Sequence, residues 1–501
     1  MPSADVAMAT VDFPQRGTAE LPPAAFGGEP DETRCGRRFG ETPVSFPIPD
    51  KMTTAADRGM AGGRPPRGIK ERLRPAIGPA LSFSDQAFCS ICNFLTTVVL
   101  ARALGLEAFG LYTMVWLAIY LAMNLQLGLI VSPMMSIGSK EDGAEADAYY
   151  TVVFIHQAAY VGAAAIAIFS ILKFAAAGTA LDGVALPGAA SAAAYLTQDF
   201  LRRYLFARRR PAAALLIDIV NQGLKLGVLA ALWHVGSISV AHALWAVAAA
   251  AAVSAGFGLF MSGPFLWKRK VFADVTRRQW HSARWLVLTG SVQWALSYSG
   301  LLVTAGLFGP RILGALRAAQ SLLAVMNVVR EALENVVPPL AGDAFAKAGL
   351  AGLRQTLARA TGFALLIGIS AVLGLSLFGP WLLHRIYGGE ILEFDWLIGW
   401  YSLIVPLTLV NVVLGCAFRA LERTRPLFLA TLAAACFNLL AVYPAALVFG
   451  VAGLIAVTIL SELTTLIVLA VLVARTSGLM SSGSRQRSPV AGGEPAGLRS
   501  P

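Results

Sequence analysis

Charge is what this sequence has least of. Only 14% of its 501 residues are Asp, Glu, Lys or Arg, while 56% are hydrophobic and the mean hydropathy is +0.65. A soluble domain carries nearer a quarter charged residues, so the deficit excludes a soluble enzyme or binding module and points to a membrane protein. Cysteine is scarce too. Cys35, Cys89, Cys92, Cys416 and Cys436 give no disulfide framework, and four of them fall in or beside apolar runs, where a small hydrophobe packs. Cys89-Ser-Ile-Cys92 has the form CxxC. A zinc site needs a second ligand pair, and none is visible. The five histidines (His156, His234, His242, His281 and His384) form no HxxH or HExxH pattern, so no metal or cofactor is expected. A nucleotide-binding P-loop is also missing, which argues against ATP hydrolysis by this chain.

The net charge of +11 is spread over short basic stretches between apolar runs. That pattern reads as membrane topology rather than as a nucleic-acid surface. Residues 1–75 are rich in Pro, Gly, Ala and mixed charge, with no signal-peptide core before Ile77, and are expected to be a disordered cytoplasmic tail. Translation starting at Met52 or Met60 would leave the membrane part unchanged. Residues 476–501 read as a second disordered tail. Between the tails lie twelve stretches long enough to cross a bilayer, which takes about 20 residues per helix. They are 79–104, 108–136, 149–172, 186–207, 212–233, 240–262, 283–307, 311–339, 357–379, 394–420, 426–448 and 451–474.

Alternate loops carry the basic residues: Arg208-Arg209-Arg210, Lys268-Arg269-Lys270, Lys347 with Arg354, and Arg423 with Arg425. The loops between them are nearly bare, so the positive-inside rule puts both termini in the cytoplasm. One cytoplasmic loop, "SKEDGAEAD", is acidic, but acidic residues weigh little in that rule.

"LARALGLEAFGLY" (Leu100–Tyr112) and "TAGLFGPRILGAL" (Thr304–Leu316) share a five-residue glycine spacing, Gly105/Gly110 and Gly309/Gly314, between long apolar segments. Arg210-Pro211 and Arg425-Pro426 match in the same order, each followed by an asparagine, Asn221 or Asn438. Three landmarks in order indicate two six-helix halves, 79–262 and 283–475, joined by a basic cytoplasmic linker at 263–282. Six is even, so both halves start on the same side and are parallel repeats about the membrane normal. The fold class expected is therefore an all-α integral membrane protein.

"LARALGLEAFGLY" resembles the first extracytoplasmic loop of polysaccharide exporters, roughly LGPxxFGxY, with Leu106 where proline is common. "QDFLRRYLFARRRP" (Gln198–Pro211), "RIYGGEI" (Arg385–Ile391) and "ALERTRP" (Ala420–Pro426) are similar to that group as well. The resemblance spans about residues 79–475 and is to the polysaccharide transporter (O-antigen flippase-like) branch of the multidrug, oligosaccharidyl-lipid and polysaccharide exporter superfamily. It implies two six-helix bundles around a central cavity. It also implies movement of an undecaprenyl-pyrophosphate-linked oligosaccharide across the bacterial inner membrane. A polysaccharide polymerase and glycosyltransferases would be its functional partners.

Ionisable groups inside membrane helices are costly and mark function by default. Helix 4 carries Gln198, Asp199, Arg202 and Arg203, and helix 5 carries Asp218, Asn221 and Lys225. Folding this hairpin about Arg209 brings Asp218 level with Arg202 and Arg203. The polarity can be self-neutralising ion pairing, or the net positive wall of a pyrophosphate site. In helix 8, Arg317 with Gln320 comes from the other half, and its planar fork suits pyrophosphate. Snorkelling to outer headgroups is the bland alternative for Arg317. Arg330 and Glu334 read as an interfacial i,i+4 pair. Glu462 in helix 12 has no basic neighbour in its own helix. With Asp218 and Asp199 it is a coupling-ion candidate, or a carboxyl hydrogen-bonded to a neighbouring helix. Asp85, Gln86 and Asn93 in helix 1, with Asn124 and Gln126 in helix 2, can serve sugar hydroxyls or interhelical bonds.

Three functions remain. The first is a lipid-linked oligosaccharide flippase without covalent chemistry, working by alternating access with hinges at Gly105/Gly110 and Gly309/Gly314. The second is a drug or organic-cation antiporter, which would favour acidic residues in its cavity. The third is a membrane-embedded polymerase or ligase, which needs reactive groups on a large outer loop. The longest such loops here are short and lack a catalytic constellation.

Overall fold

A bilayer offers no partner for backbone N–H and C=O groups, so apolar runs close those bonds within helices. The computed structural model describes residues 69–485 apart from 139 and 422–424, and no strand occurs among the described residues. Most of the expected 1–75 tail, together with the C-terminal tail from 486 onward, lies outside the described residues. The inner edges of both are helical, since the first helix begins at Ile69 and the last runs to Arg485.

Among the described residues, eight helical stretches are long and apolar enough to cross a membrane. Three of them hold a non-helical break and so supply two passes each: at Gly105, at Ala348-Gly349 and at Gly450. A further helix, Ala185–Ala207, is the one interrupted by Gln198, Asp199, Arg202 and Arg203. The result is twelve passes among the described residues: α1 (69–104), α2 (106–138), α3 (Gly143–Ala175), α4 (Ala185–Ala207), α5 (Pro211–His234), α6 (Val240–Phe260), α7 (Arg269–Leu307), α8 (309–347), α9 (350–387), α10 (396–420), α11 (425–449) and α12 (451–485).

The elements depart from the sequence expectation at their ends and at irregularities. Most of the expected 263–282 linker is the start of α7, which is helical from Arg269. α9 is longer than the 357–379 expected because its polar flanks continue the helix beyond the apolar run. α2 passes through a π-helical stretch, Leu127–Val131. α8 is interrupted after Leu323 and resumes at Met326, and α10 is interrupted at Leu403.

The internal repeat is written into the backbone. Among the described residues eight glycines have positive φ, and they fall in four pairs at corresponding turns of the two halves: Gly105/Gly309, Gly143/Gly349, Gly178/Gly388 and Gly236/Gly450. At Gly105 (φ +77°) and Gly309 (φ +80°) the chain reverses at the end away from the basic loops. A side chain in that left-handed region costs about 1–2 kcal/mol. Gly110 and Gly314 have a different task. A Cβ on Gly110 would overlap the Pro310 carbonyl, and one on Gly314 would overlap the Leu106 carbonyl. The two glycines thus let α2 and α8 meet backbone to backbone across the halves, a small-residue crossing common between membrane helices.

The packing is asymmetric along the molecule. At the end away from the basic loops, one core spans both halves, with Leu100, Phe109 and Val115 packed with Leu313, Leu316 and Leu397. Toward the basic end the core divides. One part, around Met134, Tyr149 and Leu205, belongs to the first half together with the first turns of α7. The other, around Leu333, Leu357 and Leu409, belongs to the second half.

Candidate functional site

Most of the charge within the first half is internally neutralised. Arg202 on α4 hydrogen-bonds to Asp218 on α5 through Nε and to Asp85 on α1 through Nη2. Both carboxylates are fully or nearly fully buried. Gln198 Nε2 donates to the second oxygen of Asp218 at 2.7 Å. Arg203 pairs with Asp199 one turn away at 2.8 Å. The hairpin therefore folds as expected, and Asp85 on a third helix supplies a second carboxylate for Arg202. Cys89 approaches Asp218 at 3.5 Å. Asp85, Cys89 and Asp218 form a group of metal-ligating types among the described residues. The Arg202 guanidinium bridges the two carboxylates and sits between them where a metal ion would.

Lys225 behaves differently. It is 5% exposed, and its Nζ donates to Asn93 Oδ1 at 3.2 Å; among the described residues no carboxylate lies within 4 Å of it. Buried Asn221 stands one turn earlier on α5. Lys225 and Asn93 line a chamber of about 220 Å³ together with Thr96, Thr97, Tyr120 and Tyr195. Arg317, from α8 of the other half, lines the same chamber. Its Nη2 donates to Tyr120 Oη at 3.5 Å, and it too has no carboxylate within 4 Å among the described residues.

Arg317 also lines a larger cavity of about 530 Å³ in the second half, with Gln320, Asn327, Arg330, Tyr401 and Thr408. Gln320 Nε2 donates to Tyr401 Oη at 3.1 Å. Arg330 keeps the expected partner, Glu334, at 3.6 Å, yet also reaches the cavity. Among the described residues neither chamber has an acidic residue in its lining, whereas Lys225, Arg317 and Arg330 all contribute to one or both. The structure thus brings Lys225, Arg317 and Gln320 to cavity walls. Arg202, Arg203, Asp199 and Asp218 lie in the ion-paired cluster instead.

Glu462 stands behind the larger cavity. Its Oε2 accepts from Asn411 Nδ2 at 2.7 Å, so the neighbouring helix α10 satisfies it. Asn438, the counterpart of Asn221, accepts from Ser299 at 2.7 Å and donates to Ser461 at 3.1 Å. Gln126 donates to the Leu196 carbonyl at 3.0 Å, an interhelical bond rather than a cavity contact.

The four glycines selected from the sequence cluster at the sealed end. There the Leu106 N–H, at the start of α2, donates to Glu390 Oε2 of the other half at 2.9 Å. Arg102 donates to the Arg385 carbonyl at 3.4 Å. A carboxylate at a helix N-terminus is favoured by the unpaired amides and by the helix dipole. Glu390 was not singled out in the sequence, because "RIYGGEI" gives no sign of which helix end its carboxylate meets. The cavity tyrosines Tyr120, Tyr195 and Tyr298 were missed too. Spaced among other aromatic residues on apolar helices, they carry no signal that separates lining from core.

Two six-helix halves with one shared core at one end, facing cationic chambers, make up the fold of the multidrug, oligosaccharidyl-lipid and polysaccharide exporters. Solved structures share it. Lipid II flippase MurJ, in an inward closed conformation, is similar with a TM-score of 0.63 at 14% identity, over 80% of this chain and 87% of that one. An inward-facing multidrug resistance MATE transporter of the same superfamily gives 0.61 at 16% identity, over 78% and 96%. A transporter of this superfamily from Pyrococcus furiosus, described as having a binding pocket of reversed polarity, gives 0.53 at 16%, over 81% and 96%. No curated protein matches the sequence. The chain belongs to the polysaccharide biosynthesis protein family, whose model matches residues 82–340.

Proposed function

We propose that the protein is a flippase that moves a lipid-linked oligosaccharide, carried on a polyprenyl pyrophosphate, across the bacterial inner membrane by alternating access. One observation carries this reading: the chambers are lined by Lys225, Arg317 and Arg330 and by no acidic residue. A cationic, half-desolvated wall binds pyrophosphate strongly because Coulomb attraction grows as the local dielectric falls. Arg317, shared by both chambers, receives the pyrophosphate, with Lys225 and Arg330 flanking it. The same lining disfavours an organic-cation antiporter. The ion-paired Arg202 cluster has a structural role, and Glu462 is the coupling-ion candidate because its carboxyl is hydrogen-bonded by neutral groups, Asn411 and Thr408.

Both termini are assigned to the cytoplasm, so the divided core faces inward and the sealed end faces outward. The cycle then requires α2 and α8 to part at Gly110 and Gly314 while the basic ends approach. Polysaccharide polymerase and glycosyltransferases act before and after this step as separate proteins. The test is a strain lacking the gene, in which surface polymer and lipid-linked repeat units are measured together. Loss of polymer with repeat units held on the inner leaflet is expected. Normal polymer and normal pools, in a strain with no second exporter, would discard the flippase.

A further inference from the structure

The smaller chamber contains a feature that phosphate binding does not use. Its wall is aromatic on one side. Tyr120 on α2 and Tyr195 on α4 are both half-buried in the lining, and both rest on Trp116. The Trp116 ring meets Tyr195 edge-on at 5.1 Å between centroids and lies tilted against Tyr120 at 5.3 Å. Tyr120 is stacked in turn on Tyr298 of the other half, 5.4 Å away with 25° between planes, and Tyr298 packs on Trp294 at 5.6 Å. These contacts fix the two tyrosine rings before any ligand arrives. The lining also holds small polar groups on α1. Thr96 and Thr97 give their hydroxyl protons to the Cys92 and Asn93 carbonyls, at 2.8 and 3.0 Å. Each oxygen keeps a lone pair for a further donor. Lys225 Nζ makes one of its three available bonds, to Asn93.

We propose that this chamber is a carbohydrate site, in which Tyr120 and Tyr195 stack on the C–H face of a pyranose and Thr96, Thr97 and Lys225 take its polar rim. A pyranose has one weakly positive apolar face and an equatorial belt of hydroxyls. An aromatic ring presents a negative face, so the two surfaces are complementary. Hydroxyl oxygens whose own protons are committed to the helix accept from sugar hydroxyls, while the ammonium donates to sugar oxygens. Arg317 lies in the lining of both chambers. A sugar in the smaller one is thereby placed next to a pyrophosphate at Arg317, in the order in which a lipid-linked glycan presents them. The inference rests on the flippase reading and adds the residues that recognise the glycan.

The test is equilibrium binding to full-length protein in lipid nanodiscs, with two probes. One is undecaprenyl pyrophosphate alone. The other is the lipid-linked oligosaccharide extracted from the strain that lacks the gene. Wild type is expected to bind the glycosylated probe at least about tenfold more tightly, as a stacked, hydrogen-bonded sugar worth about 1.4 kcal/mol would give. Tyr120→Leu and Tyr195→Leu should abolish that preference, and Tyr195→Leu, which keeps the contact of Tyr120 with Arg317, should leave affinity for the bare carrier unchanged. Tyr120→Phe and Tyr195→Phe, which keep the rings and serve as controls for folding, should retain it. A preference that survives in both Leu variants overturns the site. Wild type that binds both probes equally overturns it as well, and leaves the flippase reading standing. Wild type that binds neither overturns the flippase reading and this one with it.

Discussion

Arg202 and Arg317 are both arginines within apolar helices, yet their surroundings assign them opposite tasks. Arg202 is enclosed by Asp85 and Asp218, so its charge is compensated and unavailable to a ligand. Removing one member of such a cluster leaves buried charge unpaired, which typically costs about 3–5 kcal/mol. Arg202→Met should therefore lower the melting temperature in detergent by several degrees, and Asp218→Asn added to it should recover part of the loss. A melting curve for Arg202→Met identical to wild type would show that the cluster is not structural. Among the described residues, the one hydrogen bond of Arg317 is a 3.5 Å contact to a phenol. Arg317→Ala should leave the melting curve nearly unchanged and reduce surface polymer at least tenfold. If polymer stays normal at equal protein levels, pyrophosphate is not held there. From the sequence, Asp218 is a visible partner for Arg202, 16 positions on, but the second carboxylate of Arg202 and the contact of Arg317 are more than a hundred positions away. Asp85 lies 117 positions from Arg202, and Tyr120 lies 197 positions from Arg317.

Among the elements, the repeat was largely legible because it is a matter of backbone geometry. Only glycine tolerates the left-handed turn at low cost, so the positions of Gly105 and Gly309 survive as a readable mark. The separate task of Gly110 and Gly314 was not legible as such. A glycine that turns the chain and a glycine that admits another helix are the same letter. Their difference yields a prediction. Gly110→Val would force α2 away from Pro310 and so open the sealed end, whereas Gly105→Ala would chiefly strain the turn by about 1–2 kcal/mol. With the native cysteines replaced, Thr113→Cys in the smaller chamber should react slowly with a membrane-impermeant maleimide added outside. The Gly110→Val background should speed it several-fold. Equal rates in the two backgrounds would show that the α2–α8 crossing is not the outer gate. The π-helical stretch of α2 and the interruptions in α8 and α10 gave no warning, since local propensity is nearly flat across apolar runs and tertiary packing selects the irregular turn.

For the whole molecule, low charge, twelve apolar runs and alternating basic loops were enough to give the class, and the family and fold agree with it. The site was legible only in part. Lys225, Arg317 and Gln320 were chosen from the sequence because charge and amide groups are conspicuous in apolar helices, and all three line the chambers. The tyrosines were not chosen, because nothing in a helical sequence tells a ring that faces a cavity from one that fills a core. The halves share one core at the sealed end, while at the other end α7 alone of the second half packs into the first half's core, so a small shift at α2–α8 becomes a change of access. At the sealed end Glu390 ties the start of α2 to the other half. Glu390→Gln weakens its bond to the Leu106 N–H, and the variant should favour the outward-open state in the same maleimide assay.

The central claim is that this protein moves a pyrophosphate-linked glycan between leaflets, with Lys225 and Arg317 holding the anionic group. The most direct measurement uses proteoliposomes containing the lipid-linked oligosaccharide from the deletion strain and follows the fraction cleaved by a glycosidase added outside. Starting from half accessible, wild type should carry the cleaved fraction toward completion, while Lys225→Ala combined with Arg317→Ala should leave it near one half. A cleaved fraction that stays near one half with wild type, or that reaches completion equally fast with the double variant, would contradict the account.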